Sequence, residues 1–137
     1  MTDMQDFNAK IIEEFRANQG VVGGQFEGAP LLLLTTTGAK SGQPRVTPVV
    51  YRAEGDRVFV FASKGGAPTN PDWYHNLKAQ PTVVVELGAE RYEATAGELG
   101  REERDRVFAD HAAVNPGFAE YQANTERVIP VVELVRV

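Results

Sequence analysis

Between residues 30 and 63 the chain has three apolar, β-branched runs with nothing between them but short turns. PLLLLTTT at 30–37, RVTPVVYRA at 45–53 and RVFVFAS at 57–63 read as strands, and EGD at 54–56 as a tight hairpin turn. A parallel pair would need a crossover of a dozen or more residues, so these strands run antiparallel. The first is apolar on both faces, as a central strand is. The second holds Pro48, which lacks the N–H that a ladder requires, so the strand passes an edge, a bulge or a rim there. TVVVEL at 82–87 and RYEATAGEL at 91–99 form another pair that turns at Gly88 and Ala89. VVELVRV at 131–137 is a sixth strand, entered through Pro130.

Helical spacing surrounds these runs. In residues 5–19, Phe7, Ile11 and Phe15 recur every fourth position, and Gly20, Gly23 and Gly24 stop the pattern. In NPDWYHNLKAQP at 70–81, Asn70 suits an N-cap, Pro71 the first helical position and Asp72 the helix dipole, while Pro81 ends the segment. Residues 101–114 put Val107, Phe108, His111 and Ala112 on one side of a third helix, and NPGFAEYQ opens a short fourth. Six strands joined mostly by hairpins, with helices inserted before the last, predict a closed antiparallel β-barrel decorated by helices. A chain of 137 residues suits one such domain over 1–137.

Composition removes several chemistries. The chain has no cysteine, which excludes disulfides and thiolate nucleophiles. His75 and His111 lack ligand-like spacing, so no metal site is expected and both read as structural. No apolar run approaches the roughly 20 residues that span a bilayer, and MTDMQDFNAK has no signal-peptide core, so a cytoplasmic location is expected without stable membrane insertion. The net charge of -5 argues against a nucleic-acid partner. Yet residues 29–53 hold Lys40, Arg45 and Arg52 with no acid, and residues 57–71 hold Arg57 and Lys64 with no acid. Two acid-free cationic stretches in an acidic chain point to an anionic ligand, the competing reading for Arg52 and Arg57 being solvated strand ends.

TTTGAKSGQPR at 35–45 carries the sharper signal. It is not a Walker A loop, because the glycine is not adjacent to the lysine and a strand follows instead of a helix. Gly38 and Gly42 would let backbone N–H groups approach a ligand, Ser41 adds a hydroxyl, Lys40 a flexible charge and Arg45 a planar fork. In the second stretch, Ser63 and Lys64 end a strand, Gly65 and Gly66 free the backbone, and the helix after Asn70 brings Trp73 and Tyr74 as a flat apolar wall. Trp73 and Leu77 are also spaced to pack together in a core. An oxyanion turn beside a backbone-lined slot suits a flat heterocycle with an anionic tail.

TTTGAKSGQPRVTPVVY, ASKGGAPTNPDWYHNLKAQP and NPGFAEYQANTERVIPVVEL together resemble the deazaflavin-dependent nitroreductase family over residues 5–137. These are actinobacterial split β-barrel oxidoreductases that use coenzyme F420. The resemblance implies a six-stranded split barrel. It implies that Lys40, Ser41 and Gly42, in a turn that continues through Pro44 to Arg45, hold the phosphate and oligoglutamyl tail. Pro48 would pack near the deazaflavin ring, and Ala62, Ser63, Lys64 and Ala67 would line the ring and ribityl chain with Asn70, Trp73, Tyr74 and Asn76 of the following helix. The implied reaction passes a hydride from the reduced deazaflavin to a quinone, an enone or a nitroaromatic. Ser63 would hydrogen-bond the developing oxyanion, and Tyr121 would wall or protonate the substrate, or else pack its helix.

Departures from the nitroreductase pattern narrow the reading. Ala39 stands where those enzymes carry a second cation, Val50 where they place a pocket tyrosine, and Asn115 and Phe118 where further tyrosines are expected. Two other functions stay open at this stage: an FMN- or FAD-using reductase on the same barrel, and a non-catalytic binder of F420 or a lipid-like ligand. The oligomeric state, monomer or homodimer, is not legible.

Overall fold

In the computed structural model, which describes residues 3–18 and 31–137, six antiparallel strands close into a barrel in the order β1-β2-β3-β6-β5-β4. The strands are β1 (Leu31–Thr37), β2 (Pro44–Glu54), β3 (Arg57–Phe61), β4 (Thr82–Leu87), β5 (Glu90–Glu98) and β6 (Val131–Arg136). Four helices decorate it: α1 (Asp3–Ala17), α2 (Asp72–Ala79), α3 (Arg101–Val114) and α4 (Gly117–Ala123). The expected glycine stop of the first helix lies outside the described residues. No helix among the described residues is long and apolar enough to cross a membrane.

The period of two in the strands sorts their side chains between an inner and an outer core. Leu32 and Leu34 of β1 point inward with Val49, Val60, Val85 and Leu134. Leu31 and Leu33 point outward and are covered by Ile11 and Phe15 of α1. This is why β1 is apolar on both faces; it pairs with β2 on one side and β4 on the other. On β3 the outward residues are Phe59 and Phe61, buried beneath Val107 and Phe108 of α3 and Phe118 of α4.

The ladder between β2 and β3 is short. It runs from Glu54↔Arg57 to Tyr51↔Val60, so among the described residues positions 44–50 of β2 have β1 as their ladder partner and none on the β3 side. Pro48 sits in this one-sided section, opposite Leu33 of β1. The missing proline N–H thus falls where the strand is locally an edge, as the sequence requires. The third strand stops at Phe61, not at residue 63: the Ala62 N–H still reaches Pro130 O at 3.0 Å, and the chain then enters the 3₁₀ turn Lys64–Gly66.

One correction concerns the start of α2. Pro71 occupies the N-cap and Asp72 is the first helical residue, with no side-chain cap. Asn70 does not cap; its Oδ1 accepts from Arg127 Nη1 at 2.7 Å.

His111 is buried in the outer core, stacked on Phe61 at 4.4 Å and edge-on to Phe118 at 4.6 Å. Burial, with the Arg52 charge as the lesser cause, holds its imidazole below the ordinary value. The unfolded chain takes up a proton near about 6.5, and the folded chain only at lower pH. Stability therefore falls as pH drops below about 6.5. Urea unfolding at about pH 7.5 and about pH 5.5 should show a smaller acid loss for His111→Phe than for the wild type; equal losses would remove His111 as the cause.

Candidate cofactor site on the open side of β2

The turn between β1 and β2 is built by its own hydrogen bonds. The Gly38 N–H donates to Gln43 O at 2.8 Å and the Gly42 N–H to Gly38 O at 2.9 Å. The Gln43 N–H donates to Ser41 Oγ at 3.2 Å. Gly42 has φ 71, in the left-handed region that favours glycine, and a Cβ on Gly38 would lie 2.5 Å from Ser41 Oγ. Both glycines are therefore demanded by the turn, and their N–H groups are already engaged. The glycines' own N–H groups are therefore not the ones that could approach a ligand. What the turn presents outward is side chain: Lys40, Arg45 and the Ser41 hydroxyl, all exposed, with Pro44 between them.

Asn76 fixes this turn to α2. Its Oδ1 accepts the Ala39 N–H at 3.0 Å, and its Nδ2 donates to Thr36 Oγ1 at 3.2 Å. Asn76 and Thr36 are both buried, so these bonds form in a poorly solvated place where losing one is costly. One amide thereby joins the two sequence motifs that are separated by some 37 residues.

The five cations of the acid-free stretches divide sharply. Arg57 grips Glu133 through Nε and Nη2 at 2.9 and 3.0 Å and reaches Glu103 at 2.9 Å. Arg52 Nε donates to Glu54 at 2.8 Å, and hydrogen bonds from Arg106 and Arg52 hold the Glu54 carboxyl below the usual carboxylate range. Arg52 and Arg57 are thus structural ion-pair partners and do not face a ligand. Lys64 Nζ donates to Thr69 Oγ1 at 3.2 Å. Lys40 and Arg45 have no ion pair or hydrogen bond from their side chains among the described residues.

Beside the turn lies the one-sided section of β2. Val46, Pro48 and Val50 share its outer face by strand alternation, and all are half-buried. Val50 packs against both the α1 cluster and the α3–α4 cluster, so it forms the floor between them. Extending the β2–β3 register from Tyr51↔Val60 would set Ser63 level with Pro48. There the chain forms a tight 3₁₀ turn, Lys64–Gly66, in which the Gly66 N–H donates to Ser63 O at 2.9 Å and the Ala67 N–H to Lys64 O at 3.1 Å. Lys64 has φ 47. A Cβ on Gly66 would come within 2.9 Å of Tyr121 O, so α4 lies directly on this turn. The Tyr121 ring is half-buried, edge-on to Phe118 at 5.3 Å.

Other expected wall residues are turned elsewhere. Ala62 is fully buried in the barrel interior with Val49 and Val60. Trp73 is 6% exposed and packs in the same interior with Leu77, so the core reading of that pair holds. Tyr74 donates its hydroxyl to Glu98 on β5 at 2.6 Å, and burial first, then this carboxylate, push the phenol up to about 12. Asn70 is engaged by Arg127. Arg127 was not singled out in the sequence, yet its guanidinium donates to Ala62 O, Ser63 O, Ala67 O and Asn70 Oδ1 at 2.7–3.0 Å. Its only sequence signal is a lone arginine before the last strand.

Residues 9–135 match the family model described as F420H(2)-dependent quinone reductase. An F420H(2)-dependent quinone reductase of Mycobacterium tuberculosis is 41% identical over 128 residues, covering 89% of this chain and 85% of that protein. The solved structure of an F420-H2 dependent reductase, FDR-A, superposes with a TM-score of 0.70 at 44% identity, covering 77% of this chain and 93% of that one. A domain-swapped dimer superposes with a TM-score of 0.72 at 40% identity, covering 96% and 97%.

Removing the Asn76 amide tests the turn's anchorage. Asn76→Ala should destabilise the fold by about 1–3 kcal/mol, the cost of leaving buried polar partners unmet. Hydrogen exchange at the Ala39 amide should speed up more than exchange at Val85. Unchanged exchange at Ala39 would show that another group holds the turn.

Proposed function

The chain belongs to the F420H(2)-dependent quinone reductase family, whose members are oxidoreductases that use coenzyme F420, and we propose that its open β2 face holds that cofactor and reduces a quinone. The observation that carries this reading is the pairing of two uncommitted cations, Lys40 and Arg45, with a half-buried apolar strip beside them. A flat ring with a polyanionic tail matches both halves of that surface. Lys40, the Ser41 hydroxyl and Arg45 hold the phosphate and glutamyl carboxylates, the arginine through its two-pronged fork. Gly38, Gly42 and Pro44 shape this grip without donating to it. Pro48 and Val50 lie under the ring, with Ser63, Lys64 and Ala67 along its edge.

When bound, the reduced deazaflavin supplies a hydride. The chain's own residues then bind, orient and exclude water. Ser63 Oγ donates to the acceptor oxygen as it gains negative charge, the usual use of a fixed hydroxyl at a developing oxyanion. Tyr121 closes the slot from α4, and its hydroxyl is a second donor to the same oxygen or to the solvent that delivers the final proton. Val50 and Phe118 leave the slot apolar where related nitroreductases are rich in phenols. An apolar slot with few donors suits a flat quinone ring, the acceptor named for the relatives. Asn70, Asn76, Ala62, Trp73 and Tyr74 support the site from behind.

Fluorescence titration with F420 and with FMN, followed by rapid mixing of the reduced complex with a benzoquinone or naphthoquinone, tests the reading. F420 should bind far more tightly than FMN, and the quinone should reoxidise it. Preferential FMN binding would favour a flavin enzyme, and binding without turnover would favour a carrier. Lys40→Ala and Arg45→Ala should each weaken F420 binding by about 1.5–3 kcal/mol at low ionic strength, and by less as salt rises. Ser63→Ala should lower kcat while leaving F420 affinity nearly unchanged; an equal loss in both, or none, would take Ser63 out of the chemistry.

A further inference from the structure

We propose that Arg127 is a positioning residue that sets the polarity of the cofactor wall, an inference that rests on the reading of Ser63–Ala67 as that wall. Four hydrogen bonds tie its guanidinium to the segment: Nε to Ala67 O at 2.9 Å, Nη1 to Ala62 O at 3.0 Å and Asn70 Oδ1 at 2.7 Å, and Nη2 to Ser63 O at 2.8 Å. A trans peptide points its C=O and N–H in opposite directions. Turning the Ala62 and Ser63 carbonyls onto Arg127 therefore points the Ser63 and Lys64 N–H groups away from it. The wall is stripped of acceptors and left with donors, which suits an electron-rich reduced ring. The clamp also opposes the natural relaxation of Lys64, whose φ of 47 is unfavourable for a residue with a Cβ.

The arginine is itself braced from α3 and α4. Gln122 Nε2 donates to Arg127 O at 2.8 Å, and Gln122 Oε1 accepts from Arg104 Nη2 at 2.6 Å and from the Ile129 N–H at 3.0 Å. Arg104, buried and lying over the Phe108 ring, adds a bond from Nε to Ile129 O at 2.9 Å. Among the described residues Arg127 has no carboxylate partner. Its charge is spread only over neutral carbonyls, which leaves positive potential behind the wall. Lysine could not replace it, since one ammonium cannot satisfy acceptors on both sides of a planar fork.

The test uses the full chain with F420 and a soluble quinone. Arg127→Ala and Arg127→Lys should each weaken F420 binding about tenfold or more and lower kcat by about tenfold or more through misplacement of the wall, while the KM for quinone changes little. Hydrogen exchange at Gly66 and Ala67, whose N–H groups are bonded inside the clamped turn, should accelerate in the apo protein. Millimolar guanidinium should restore part of the F420 affinity of Arg127→Ala and none of that of Lys40→Ala, a rescue that general destabilisation would not give. Should Arg127→Ala fail to fold, Arg127→Lys carries the comparison. F420 affinity within twofold of wild type in both variants overturns the proposal. The bulky Ser63→Trp separates the two levels: if it blocks F420 while the Arg127 variants bind normally, only the clamp is wrong; if Ser63→Trp also binds normally, the wall reading and the clamp both fall.

Discussion

A proline inside a strand has no proton to give a neighbour, and much of this molecule follows from where that proline sits. Pro48 lies in the half of β2 whose ladder partner is β1. β3 leaves its partner after Tyr51↔Val60, and β6 takes over on its other side, so the barrel still closes. Among the described residues this stretch of the outer face has no β3 partner, and we take it, with Val50 touching both outer clusters, as the seam of the proposed site.

Electrostatics makes the seam selective. An acidic chain can surround most of its arginines with carboxylates, and this one does: Arg16, Arg57, Arg101, Arg106 and Arg136 all have acidic partners. Exposed pairs of this kind contribute little to stability. Among the described residues Lys40 and Arg45 have no carboxylate partner, and they lie together at one end of an apolar strip. Such uncompensated charge is what would draw a polyanion to the turn.

Much of this was legible because the signals are local. Alternation and short turns sufficed for six antiparallel strands, since a two-residue period and a hairpin are properties of neighbouring residues. The glycine–lysine–serine turn could be read the same way. What escaped was set by partners far along the chain. Asn70 looks like a cap because it precedes Pro71 and Asp72, yet Arg127, 57 residues on, engages its oxygen. Trp73 and Tyr74 look like a wall because they follow a glycine-rich loop, but α2 turns the indole into the barrel and the phenol toward Glu98. Gly38 and Gly42 look like ligand donors until the turn closes on Gln43. Arg57 looks free until α3 and β6 bring Glu103 and Glu133 against its strand, whereas Arg52 turns to Glu54 only two residues on.

In the proposed site the seam and the turn form a two-part surface, apolar where a ring would lie and cationic where a tail would lie, and one molecule would occupy both parts. The most direct measurement compares the affinity of F420 with that of the same deazaflavin lacking its phosphate and glutamates, across a series of salt concentrations. The account predicts tight, steeply salt-dependent binding for the whole cofactor and weak, nearly salt-independent binding for the truncated one. Equal affinities with equal salt slopes would contradict it.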